Sequence, residues 1–88
     1  MKYFVYLLVC HQNKRIISYV GYTNNIKKRL KLHNDSKGAK FTRGRKWKII
    51  YKKSYNTKSE AMKNEYILKN NRTKRDKIKK KYILNINI

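Results

Sequence analysis

The 88-residue chain carries 25 Lys and Arg against 4 Asp and Glu, a net charge of +21. That length suits one small domain, here 1–88, and is too short to add a second catalytic or substrate-binding domain of ordinary size. Cys10 is the single cysteine, which excludes an internal disulfide framework and a multi-cysteine zinc site, and no apolar run approaches the ~20 residues of a membrane span.

The charge itself points to a polyanionic partner, of which nucleic acid is the commonest. Abundant Lys, Asn, Ile and Tyr fit an A+T-rich coding sequence, but that bias does not account for only four acids, since glutamate codons tolerate it too. The opening "MKYFVYLLVC" is followed by "HQNK" rather than a small-residue cleavage site, so it reads as a buried strand of a cytoplasmic protein (nucleoid-associated if bacterial) and not as a signal peptide.

"YFVYLLVC" is apolar on both faces, as a central strand should be. "HQNKR" supplies a longish turn, and "IISYVGY" is a second strand pairing with the first as a hairpin. The asparagine pair after Thr23 is a cap for the helix "IKKRLKLHN". "DSKGAKFTRGR" reads as a polar, basic loop. In "KWKIIYKKSY", Trp47, Ile49 and Tyr51 alternate with lysines, the pattern of a half-buried strand with those three on one face. Thr57 and Glu60 form a capping box that opens a second helix, and Thr73 with Asp76 opens a basic third helix over 73–84. The expected fold is α+β, in the order β-β-α-β-α-α, with a three-stranded antiparallel sheet that the helices must cover.

Arg29 and His33 lie four apart on one helix face, at the edge of the stripe made by Ile26 and Leu30. An arginine there can hold a phosphate by two-point contact; equally, the pair can be a surface cation and a helix-end histidine at the negative end of the dipole. Of the four acids, Glu60 and Asp76 read as caps and Asp35 as a loop residue. Glu65 is left over, four after Ala61 and three before Leu68. It suits a hard divalent cation, or an ordinary i, i+4 pair with Lys69. Tyr6 and Tyr19 fall in the paired strands and can stand close together.

The ordered set "FVY" at Phe4–Tyr6, "YVGYT" from Tyr19, Arg29, His33 and Glu65 resembles the GIY-YIG nuclease family. The resemblance covers about residues 2–70 and is similar to the small single-domain bacterial members and to the nuclease subunit of the eukaryotic structure-selective resolvase. It implies a metal-dependent DNA endonuclease in repair or recombination, with Tyr6 and Tyr19 as the motif tyrosines and Gly21 as the glycine that admits close backbone approach. It further implies Arg29 as the phosphate-stabilising arginine, His33 as its His-or-Tyr partner and Glu65 as the ligand of one Mg²⁺ or Mn²⁺. Tyr19 is the expected activator of the attacking water, and His33, with a reference pKa of ~6.5, is the alternative. The first motif departs from the family in Phe4 and Val5. An asparagine that some members carry after the glutamate falls here on Lys77. Lys37, Lys40, Arg43, Arg45 and Lys48, with the third helix, are expected to grip the DNA backbone without reading sequence, and a protein partner could supply targeting. The rival readings are a non-catalytic basic module binding DNA or RNA on the same fold, and an interaction subunit of a larger repair complex.

Overall fold

A computed structural model describes residues 2–12 and 14–86. The first strand, β1 (Tyr3–Gln12), pairs antiparallel with β2 (Arg15–Thr23) and with β3 (Lys48–Tyr55), in sheet order β2-β1-β3. β1 is therefore central, which is why its apolar residues run without alternation: Val5 through Cys10 are all buried. The hairpin is tighter than its sequence suggests. Gln12 already pairs with Arg15, and Lys14 takes a left-handed φ of 66°.

Both sheet faces are covered. One carries Val5, Leu7 and Val20 against Ala61, Leu68 and Ile78 of helices α2 (Lys58–Lys69) and α3 (Arg72–Ile86). The other carries Tyr6, Leu8, Cys10 and Tyr19 against Ile26 and Leu30 of α1 (Ile26–Asn34) and against Trp47. This three-layer arrangement lets a thin chain bury both sides of a short sheet.

β3 departs from simple alternation. A bulge opposite Leu7 and Leu8 pairs Leu8 with Ile49 but Leu7 with Tyr51. Trp47 and Ile49 therefore stay on the α1 face while Tyr51 moves to the α2 face, instead of all three sharing one face. An extra residue in one strand shifts every later side chain by half a pleat.

The helix caps follow local chemistry. Asn25 Oδ1 accepts from Lys28 N at 3.1 Å, and Thr57 Oγ1 accepts from Glu60 N at 3.1 Å. α3 begins earlier than Thr73: Asn71 Oδ1 caps Lys74 N at 3.0 Å, while Asp76 pairs with Arg72 and Lys79 along the helix. Asparagine is as good a cap as threonine and stands earlier in the chain. Among the described residues, no helix is long and apolar enough to cross a membrane.

Candidate active site

β1 and β2 bring Tyr6 opposite Gly21 and Leu8 opposite Tyr19, so both tyrosines point to the α1 face, one diagonal step apart. α1 presents His33 to them. The two phenol rings lie 5.9 Å (Tyr6) and 5.2 Å (Tyr19) from the imidazole. His33 is fully buried and not at the rim of the stripe; the loop that follows α1 folds back over it.

That loop is more ordered than its composition suggests. It contains a 3-10 turn, Lys40–Thr42, and buries Thr42 completely. Asn34 Oδ1 accepts from Trp47 N at 2.6 Å and its amide donates to Trp47 O at 3.3 Å. The indole of Trp47 donates to Thr42 O at 2.9 Å. Thr42 is thus anchored from two sides.

The hydrogen bonds assign the protons. The Thr42 hydroxyl donates to Ala39 O at 2.8 Å, so toward His33 Nδ1, 2.9 Å away, its oxygen must accept. His33 then carries its proton on Nδ1, leaving Nε2 as an acceptor for the Tyr6 O–H at 2.9 Å. Burial lowers the pKa of His33, and the Arg29 guanidinium lowers it further. Burial raises that of Tyr6, against the opposing pull of Arg29; Tyr19 and Glu65 add to the rise. Both groups are therefore neutral at neutral pH, and the Tyr6 proton points at a vacant nitrogen.

Two glycines make the pair fit. A Cβ on Gly21 would stand 2.3 Å from the Tyr6 phenol oxygen, and one on Gly38 would stand 2.5 Å from His33 Nδ1. At Gly21 the missing side chain makes room for the Tyr6 phenol. Gly38 and Thr42 were not among the expected site residues; a threonine with no helix to cap was the one sequence signal that could have marked the loop.

Arg29 lines a cleft of about 400 Å³ together with Tyr3, Tyr22, Thr23, Asn24 and Lys58, where β1, β2, α1 and the start of α2 converge. Its Nε is buried and has no hydrogen-bond partner among the described residues, a condition shared only with Arg75 Nε. Of the expected set, Arg29 reaches this wall, while Tyr6 and His33 are buried residues and Tyr19 is half-buried. On α2, Glu65 has its side chain 18 % exposed, 3.6 Å from Lys69 Nζ. Its charge adds to the rise of the Tyr6 pKa, as the smallest of the causes.

Among the described residues no three His, Cys, Asp or Glu side chains gather to hold a metal. Asp35 and Asp76 are paired with lysine or arginine, and Glu60 accepts from the Thr57 hydroxyl. Glu65 is likewise paired, with Lys69, and differs from the two aspartates in its low side-chain exposure. One carboxylate fits a Mg²⁺-like ion, which keeps several waters and completes its shell with substrate phosphate. Lys37, Lys40, Arg43 and Lys48 are exposed, and Arg45 is half-buried, tied to the Gln12 side chain.

The family model for the GIY-YIG catalytic domain matches residues 2–82. The chain belongs to the GIY-YIG family. It is 50% identical over 68 residues to a UPF0213 protein of Bacillus licheniformis, spanning 76% of this chain and 67% of that one. It is 46% identical over 68 residues to the UPF0213 protein YazA of Bacillus subtilis, spanning 76% of this chain and 66% of that one; against YazA, the match covers just under two thirds of the relative's length. The solution NMR structure of a UPF0213 protein from Bacillus halodurans superposes with a TM-score of 0.51 at 36% identity, covering 89% of this chain and 82% of that one. The three-stranded antiparallel sheet with its three helices agrees with that fold. GIY-YIG domains are in general endonuclease domains that use a divalent metal ion.

Proposed function

We propose that this chain is a metal-dependent DNA endonuclease that hydrolyses phosphodiester bonds, selects DNA by structure more than by sequence, and serves repair or recombination. The observation that carries the reading is the Arg29 guanidinium, with a buried, unpartnered Nε on the wall of a cleft beside a phenol whose proton is already aimed at an acceptor. A buried unpaired donor is costly, and a phosphate oxygen would satisfy it.

In this reading Arg29 binds the scissile phosphate and stabilises the charge that grows on it. The geometry favours Tyr6 over Tyr19 as the group that meets the attacking water. Tyr6 has what Tyr19 lacks among the described residues, a hydrogen-bonded proton acceptor. As the water loses a proton to the Tyr6 oxygen, the phenol proton moves to His33 Nε2, so Tyr6 stays neutral and His33 becomes the imidazolium. Tyr19 packs against the imidazole and limits its motion. Glu65 would hold one Mg²⁺ or Mn²⁺, which supplies positive charge to the phosphate and the leaving oxygen. The exposed cations of the loop and of α3 hold the backbone.

The test is single-turnover nicking of plasmid, flap and junction DNA at saturating enzyme. Arg29→Ala should lose at least ~10²-fold in rate, as for removal of one preorganised donor, and Arg29→Lys should recover little, since it offers a point charge in place of a fork. Glu65→Ala should lose cleavage and keep DNA binding. Lys48→Ala should weaken binding modestly and leave the rate intact. Equal rates for Arg29→Ala and Lys48→Ala, or full nicking by folded Glu65→Ala, would reject the assignment.

A further inference from the structure

Phe41 is 51 % exposed in a surface otherwise dominated by Lys40, Arg43, Arg45 and Lys46. One part of its ring has a packing role: it stacks on Tyr19 at 6.2 Å and 19°, and lies 6.3 Å from Trp47 at 43°. An aliphatic side chain would cover those neighbours as well. The outward part is a flat π surface next to the Arg45 guanidinium, 5.4 Å from the ring centroid, and Arg45 is itself tied to Gln12 of β1. The platform is rigidly registered to the site, because the next residue, Thr42, holds His33, and Tyr19 bridges the two by stacking on Phe41 and lying 5.2 Å from the imidazole.

We propose that Phe41 is a stacking platform for an unpaired base of the DNA strand whose phosphate enters the Arg29 cleft; the DNA part of this rests on the nuclease reading. An aromatic face with flanking cations is the combination that holds single-stranded nucleic acid, the ring taking the base and the cations the backbone. In a duplex the base faces are occupied by their neighbours. The platform therefore distinguishes a strand that is single, frayed or branched from one that is paired, and it does so without reading sequence.

Binding is measured in EDTA, so that no cleavage occurs, using a mixed-sequence single strand containing 2-aminopurine and a blunt duplex of the same length. Phe41→Leu keeps apolar volume and removes the π face; Phe41→Tyr keeps both. The leucine variant should weaken single-strand binding at least about 5-fold, the lower bound for one stacked base, and change duplex binding less than about 2-fold. The tyrosine variant should bind like wild type, and 2-aminopurine emission should fall on binding wild type and Phe41→Tyr but not Phe41→Leu. Equal losses on both DNAs, or no loss and no difference in quenching, overturns the proposal. A protein that stacks the base through Phe41 yet never cleaves any DNA would reject the nuclease reading alone.

Discussion

At the scale of single residues, the site turns on where one proton sits. The Nδ1–H tautomer of His33 exists because Thr42 spends its own hydroxyl proton on Ala39 O, and the Tyr6 proton can then face Nε2. Thr42→Val keeps the shape and removes the oxygen, leaving a buried N–H unpaired at a cost of about 1–3 kcal/mol. The expected outcome is a switch of the imidazole to the other tautomer with loss of nicking rate, both restored in Thr42→Ser; long-range ¹H–¹⁵N spectra of His33 read the tautomer directly. An unchanged tautomer in Thr42→Val would show that the threonine only fills space. The same histidine predicts a pH effect on stability. Its pKa is lowered in the fold by burial and by Arg29, while in the unfolded chain it sits near ~6.5. Above that pH both states are neutral and His33 contributes no pH dependence. Below it the unfolded chain takes up a proton that the folded one refuses, so stability falls as pH falls, until the folded pKa is reached. Urea midpoints measured downward from pH 7.5 should show this decline, with the His33 ring still neutral in the folded spectrum below pH ~6.5.

At the scale of elements, a strand and a loop each use an absent side chain. β2 sets Gly21 opposite Tyr6, and the loop after α1 sets Gly38 against the imidazole. A methyl at either position meets a ring that is buried and hydrogen-bonded at its far end, so the ring cannot yield without breaking the Tyr6–His33 contact. Overpacking of this kind costs about 1–3 kcal/mol. Gly21→Ala and Gly38→Ala should each lower the thermal midpoint and suppress nicking, whereas Gly44→Ala, with open space around it but φ of 74°, should cost backbone strain only and leave the nicking rate near wild type. A Gly38→Ala protein as stable and active as wild type would mean that the loop is free to move away from His33.

At the scale of the whole molecule, +21 charges share a body with a radius of gyration of 12.9 Å. The ion pairs among the described residues all lie within single helices or their caps, at i, i+3 or i, i+4, and such exposed pairs contribute little. The two apolar sheet faces hold the fold together against self-repulsion. Added salt should therefore act in opposite directions: the thermal midpoint rises as repulsion is screened, while DNA affinity falls. The slope of log affinity against log salt should be about −0.9 for each duplex phosphate neutralised, with similar values for unrelated sequences of one shape. A flat salt dependence, or one sequence retained at high salt, would contradict this backbone-driven view.

The sequence by itself determined the element order and the central place of β1, because these depend on local periodicity and capping chemistry; the ordered set of Tyr6, Tyr19, Gly21, Arg29, His33 and Glu65 was legible as a family resemblance. It did not determine the β3 bulge that carries Tyr51 to the opposite face, since a one-residue slip is decided by what both sheet faces can pack. Nor did it determine that His33 is buried and not a rim residue, or that Gly38 and Thr42 belong to the site. Those follow from a loop that looks polar along the chain but closes over the imidazole once Asn34 and Trp47 pin its two ends. Long-range closure of that kind has no signature in residue spacing, and it is what sets the tautomer and the direction of the Tyr6 proton.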